Sequence, residues 1–256
     1  MKSSHLMALL PFVLTLGACK STPELSFNPK RFDSPEVYSQ PLKVNIATGF
    51  TARSLIVIDR YEDLNDHTID SQVREKNYGD DEVILFASAD VTAGNGWEFS
   101  LSGADSLKAA VKYQFYGEHS ENSDIGNLSQ AVTLGYERHQ KDEADWHQKS
   151  DIIDIAWVVG YRALAKGIIY GGPFIQWGKA DGQVNAYELS PETGDRFLAE
   201  EINFSRNGTF LGLNIAYEHR FNFGLGWGIE FVTYTNKWGD DDKADQMLNL
   251  MLDYQF

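Results

Sequence analysis

Glu118, His119, Ser120, Glu121 and Ser123 place acid, base and nucleophile types within six residues of one another. A hydrolase needs such groups to converge on one reacting carbonyl. Neighbours on a strand point to opposite faces, so only a folded-back loop could unite them. A solvated turn is the expected reading. His139 and His147 flank Asp142, Glu143 and Asp145, which are all metal-ligand types, but the spacing matches no metal signature. An exposed polar loop is expected there. Zinc-protease, P-loop, nucleophile-elbow and CxxC motifs are absent from the sequence. No catalytic residue, metal or cofactor is assigned.

A second set of charges sits within apolar, period-two segments. Leu107, Ala109, Val111, Tyr113 and Phe115 alternate with Lys108, Lys112 and Gln114. Ile153, Ile155, Trp157, Val159 and Tyr161 oppose Asp154 and Arg162, and Leu128, Val132, Leu134 and Tyr136 mark a strand carrying Glu137. Leu211, Leu213, Ile215 and Tyr217 oppose Asn214 and Glu218, while Phe223, Leu225, Trp227, Ile229 and Phe231 oppose glycines and Glu230. Period two means β-strand, with one face greasy and the other polar. Buried charges must be paired. Lys108, Lys112, Glu137, Asp154, Arg162, Glu218, Glu230 and Asp253 are therefore expected to fill an interior with ion pairs and hydrogen bonds. A narrow polar channel or a small internal binding site is the alternative use.

The last segment alternates almost without error. Leu248, Leu250, Leu252, Tyr254 and Phe256 share one face; Met247, Asn249, Met251, Asp253 and Gln255 share the other. This segment resembles the C-terminal signature by which bacterial outer-membrane β-barrel proteins are recognised and inserted. The resemblance implies an all-β fold, a transmembrane antiparallel up-and-down β-barrel. Counting segments gives about ten strands, with 12 or 8 as alternatives. It also implies the barrel-assembly machinery and outer-membrane lipids, including lipopolysaccharide, as partners.

The N-terminal end points to the same compartment. Lys2 lies in a short polar start, and residues 6–16 are an apolar run too short to span a bilayer as a helix, which needs about 20 residues. Leu16-Gly17-Ala18-Cys19 follows and resembles a bacterial lipobox, which implies acylation of Cys19. Cys19 is the only cysteine, so no intrachain disulfide can form. Lys20, where an inner-membrane retention signal would have Asp, implies passage through the lipoprotein export machinery. The domain reading is a signal peptide over 1–18, a lipidated, proline-containing periplasmic tether over 19–42, and a barrel over 43–256. Pro23, Pro29, Pro35 and Pro41 mark the tether, because proline blocks both helix and central strand.

A net charge of −15 and a pI near 4.7 exclude nucleic acid as a partner. Acidic clusters such as Asp80-Asp81-Glu82 and Asp240-Asp241-Asp242 fall in polar stretches. With the first strand rising from Lys43, short turns over 92–96, 164–166 and 220–222 fall on the periplasmic side. Polar stretches over 59–81, 139–150, 179–207 and 236–245 become long outer loops. The stretch 117–127 is long for a periplasmic turn, and 103–106 is short for an outer loop. Segments 183–190 and 197–205 are read as hairpins above the membrane rather than as two further spans. The expected role is structural or surface-interacting, in a lipid-anchored protein of a Gram-negative outer membrane; a narrow solute channel is second, and a barrel enzyme is a residual.

Overall fold

The computed structural model describes residues 24–27, 30–60, 73–104, 106–144, 146–189, 196–238 and 241–256. The expected signal peptide and Cys19 lie outside the described residues.

A short strand, β1 (Glu24–Phe27), precedes ten long or medium ones. These are β2 (Pro41–Arg60), β3 (Val73–Gly94), β4 (Trp97–Gly103), β5 (Leu107–Tyr116), β6 (Leu128–Asp142), β7 (Trp146–Leu164), β8 (Gly167–Leu189), β9 (Arg196–Arg220), β10 (Leu225–Trp238) and β11 (Asp241–Gln255). Each pairs antiparallel with its sequence neighbour, and β11 pairs back onto β2. The result is a closed ten-stranded up-and-down barrel. Closure leaves every spanning strand with two partners, so no backbone edge faces lipid.

Alternation sets the two walls. Leu134, Ile155, Trp157, Leu213, Ile215, Leu250 and Leu252 point outward and are about half exposed, while Thr133, Glu137, Asp154, Asn214 and Asn249 point inward and are buried. An outer wall this apolar belongs in hydrocarbon, not water. Trp97, Tyr113, Tyr116, Tyr161, Trp227 and Tyr254 ring one end of it, the girdle expected where lipid meets water. Strand β8, apolar on both faces in sequence, resolves with Ile168, Tyr170 and Phe174 inward and Ile169 and Trp177 outward.

The two ends of the barrel differ. At the girdled end, the β3–β4, β7–β8 and β9–β10 connections are tight. Gly94, Asn95 and Gly96 all have positive φ, and a Cβ on Gly96 would lie 2.8 Å from the Gln114 carbonyl oxygen. Glycine adopts such a backbone at no steric cost, and Asn tolerates it better than most other residues. At the other end, the stretches read as outer loops are largely strand. Residues 139–150 form a hairpin in which Asp142 pairs with His147. Residues 179–207 continue β8 and β9 to the pair Leu189 and Arg196, and 236–245 continue β10 and β11 to Trp238 and Asp241. Strand β3 already begins at Val73, inside the 59–81 stretch. Above the lipid neither face of a strand meets hydrocarbon, so the apolar alternation that betrays a strand is lost while the hydrogen-bond ladder continues.

The proline-containing segment also departs from expectation. Residues 30–40 do not form a tether outside the barrel. They run inside it, and β2 starts at Pro41 immediately after they leave.

Candidate functional site

The centre of the molecule is the contact between this lumenal segment and the inward charges. The segment is extended and irregular, so its own backbone offers no ladder. Irregular backbone at membrane depth persists only where protein groups satisfy it. Glu230, fully buried, accepts the Arg31 amide at 2.9 Å and the Phe32 amide at 3.1 Å. Asn214 and Asn249 donate to the same carboxylate at 2.8 and 2.9 Å. Four donors match the four lone-pair sites of an ionised carboxyl group. Lower down, Lys112 donates to the Ser34 carbonyl at 2.8 Å and the Val37 amide donates to Gln114 at 2.7 Å.

Side chains of the segment complete the interior. The Arg31 guanidinium bonds Asp154 at 2.5 and 2.6 Å and lies 4.1 Å from the Phe174 ring centroid. Lys108 reaches Asp154 at 2.6 Å and Gln176 donates to it at 3.1 Å. Lys30 sits 3.9 Å from the Phe86 ring centroid, and Phe32 stacks on that ring at 6.1 Å. Glu36, nearly all buried, pairs with Arg162 and also accepts from Ser123 and Asn127.

The 117–127 turn owes its length to this segment. Ser120 donates its amide to the Val37 carbonyl at 3.2 Å, and the His119 ring nitrogen Nδ1 lies at the same distance from that oxygen. Glu121 accepts the Ser39 amide at 3.0 Å and bonds its hydroxyl. Partial burial pushes the Glu121 carboxyl upward, but the Ser39 hydrogen bonds outweigh it and hold it below its ordinary value. Glu118 donates its amide to Asn127. The acid, base and nucleophile types noted in this stretch therefore clamp a chain and do not converge on a shared point.

All eight charges assigned to the interior point inward. They do not, however, pair mainly with one another. Asp154 is held by Arg31 as well as Lys108, Arg162 by Glu36, Lys112 by Glu98 at 2.6 Å, and Asp253 by Arg220. Glu218 accepts from Tyr170, and Glu137 from Ser106. Arg31, Glu36, Glu98 and Arg220 were not foreseen from the sequence. One signal was present: the eight charges comprise five carboxylates and three cations, and a buried excess of carboxylates demands cations from elsewhere.

His139 lies on β6 across from Ser150, and His147 across from Asp142. Among the described residues no group of three or more His, Cys, Asp or Glu could hold a metal ion.

Of the C-terminal residues, Leu248, Leu250, Leu252, Tyr254 and Phe256 face outward, and the Phe256 amide donates to the Val44 carbonyl at 2.9 Å across the closing seam. No protein-family profile matches the chain, and no curated protein does. Among solved structures the chain is similar to Ail, the attachment invasion locus protein of Yersinia pestis. The identity is 13%, the alignment covers 85% of this chain and 100% of that one, and the TM-score is 0.38.

The lumen is thus divided along its length. Toward the long-strand end, Phe174, Phe204, Phe210, Tyr234 and Met247 pack into an apolar mass on one side. The lumenal segment occupies the middle. Toward the turn end a polar cavity of about 390 Å³ remains, lined among others by Asp90, Glu98, Lys112, Lys166, His219 and Arg220. This arrangement can close a pore and fix a chain. It offers no aligned nucleophile and base among the described residues.

Proposed function

We propose that this chain is an outer-membrane β-barrel lipoprotein with a structural or surface-interaction role, its pore closed by its own N-terminal segment. The observation that carries the reading is the seating of Arg31 and Phe32 on Glu230 and Asp154. A carboxylate whose four acceptor positions are filled, two by amides of a through-running chain and two by Asn214 and Asn249 of the wall, serves closure, not transit. The greasy wall, the aromatic girdle and the contrast of tight turns with tall hairpins support a Gram-negative outer membrane, turns inward. Anchoring through Cys19, delivery by the lipoprotein export machinery and insertion by the barrel-assembly machinery complete the proposal. Outer-membrane lipids including lipopolysaccharide are the surrounding partners, and the acidic outer hairpins are the surface offered to the outside.

Planar bilayers test this reading. Purified protein is expected to leave the bilayer silent, and steady discrete conductance steps from the intact chain would overturn closure. A second reading, binding of a small polar solute, is favoured by the charged cavity at the turn end. Its test is a Lys112→Met substitution, which should abolish binding of a periplasmic solute if one is captured there. Palmitate labelling of wild type and Cys19→Ser tests the anchor; equal labelling rejects it.

A further inference from the structure

Strand β1 shows where the chain enters the barrel. Its register on β2 runs from Glu24 opposite Val57 to Phe27 opposite Ser54. The other edge of β2 at that height is taken by β3, with Leu55 opposite Tyr78 and Val57 opposite Lys76. So β1 lies on the edge that β11 occupies lower down, where pairing runs only from Gln255 opposite Asn45 to Leu250 opposite Phe50. Extrapolating that register, positions 243–246 of β11 would face 54–57 of β2. Strand β1 takes their place and wedges into the top of the seam.

On β3 the last described outward apolar residue is Val83, whose partner on β2 is Ala52. On β11 the last large apolar residue described as facing outward is Leu248, and above it Gln246 and Ala244 face outward. Strand β1 therefore lies above the last described outward apolar residue of each flank. From Phe27 the chain descends through Lys30 beside Phe86, Arg31 beside Asp154, and Val37 beside Ser120, to Ser39, whose carbonyl accepts the Asn95 amide in the β3–β4 turn. It then reverses at Pro41 and climbs as β2.

From this path we infer that the polypeptide before Glu24 leaves the barrel at the long-strand end, so that Cys19 and its neighbours are displayed at the cell surface and not in the periplasm. The inference rests on the proposed orientation of the barrel. Five residues separate Cys19 from Glu24, a reach of at most about 17 Å.

Thiol labelling in intact cells with a membrane-impermeant maleimide tests this, using full-length Ser21→Cys, Glu143→Cys for the long-strand end and Asp124→Cys for the turn end. Wild type supplies the Cys19 background, and heat-modifiable gel mobility confirms assembly of each variant. Ser21→Cys is expected to label as fully as Glu143→Cys, with Asp124→Cys labelled only after permeabilisation. Labelling of Ser21→Cys only after permeabilisation, with Glu143→Cys already labelled, would overturn the threading. If Asp124→Cys labelled in intact cells and the other two did not, surface display would be overturned through the orientation of the barrel, while the shared sidedness of residues 21 and 143 still held. Thr22→Cys replaces Ser21→Cys if the latter fails to assemble.

Discussion

Arg31 and Asp154, 123 positions apart in the chain, meet in the middle of the lumen at 2.5 Å, both almost wholly buried. The pair ties the lumenal segment to β7, and its two members are not equivalent. Without Arg31, Asp154 retains Lys108 and Gln176. Without Asp154, the guanidinium is stranded over the Phe174 ring. Orphaning a buried charge costs about 3–5 kcal/mol. Asp154→Ala is therefore expected to destabilise the folded barrel by about 3 kcal/mol or more, and Arg31→Ala by distinctly less. Urea unfolding in detergent micelles measures both. Equal losses would show that Lys108 does not stand in for Arg31.

Glu36 and Arg162 form the corresponding lock at the turn end, reinforced by Ser123 and Asn127. Replacing Glu36 by Ala removes the acceptor that gathers all three donors. A hydrogen bond to a charged group contributes about 1.5–3 kcal/mol. Hydrogen exchange at the Val37 and Ser39 amides, both held by this end of the barrel, should accelerate on the order of tenfold or more. Exchange at the Arg31 amide, bound to Glu230, should change much less. Uniform acceleration along the segment would mean that it moves as one body.

The spanning strands were legible in sequence because lipid enforces alternation. Leu248, Leu250, Leu252 and Tyr254 face outward and Met247, Asn249, Met251 and Asp253 inward, as the period-two pattern of that segment dictates. Where lipid ends, the same rule stops informing: Lys141 pairs with Gln148 and Asn236 with Lys243 in full ladders, yet these stretches read as loops, and only the 183–190 and 197–205 segments read as a hairpin. The lumenal segment was illegible for a different reason. Its prolines fit a solvated tether as well as a chain in a pore, since both need an extended backbone without a ladder. Arg31 and Glu36 acquire meaning only once Asp154, Glu230 and Arg162 are brought beside them by strands far away in the chain.

Glu121 gives the turn-end clamp a pH dependence of known sign. Its folded carboxyl lies below the ordinary value of 4.5 because the Ser39 hydrogen bonds outweigh the effect of partial burial. A depressed carboxylate stabilises the folded state above its unfolded value and loses that contribution as pH falls through its folded value. Protection of the Ser39 amide, corrected for intrinsic exchange, should therefore be full above pH 4.5 and decline below it. Glu121→Gln should lower the protection at neutral pH and flatten the profile. A wild-type profile that stayed level through the acid range would remove Glu121 from the clamp.

Gly49 sits at the narrow part of the barrel's closure, where β2 meets β11 along a ladder ending at Phe50 opposite Leu250. A Cβ at Gly49 would fall 1.9 Å from the Leu250 carbonyl oxygen and 2.8 Å from the Phe86 ring. The carbonyl belongs to the ladder and cannot retreat without opening the seam, and Phe86 is fixed between Lys30 and Phe32. Overpacking of this kind typically costs about 1–3 kcal/mol, and here the cost falls on the shortest stretch of closure. Gly49→Val is expected to lower the fraction of chains reaching the heat-modifiable, folded form and to lower the urea midpoint of those that do. Gly103→Ala is the matched control, since its nearest neighbour, the Ser106 carbonyl, stands at an ordinary 3.4 Å. If both variants assembled like wild type, the close approach at the seam would carry no energetic weight.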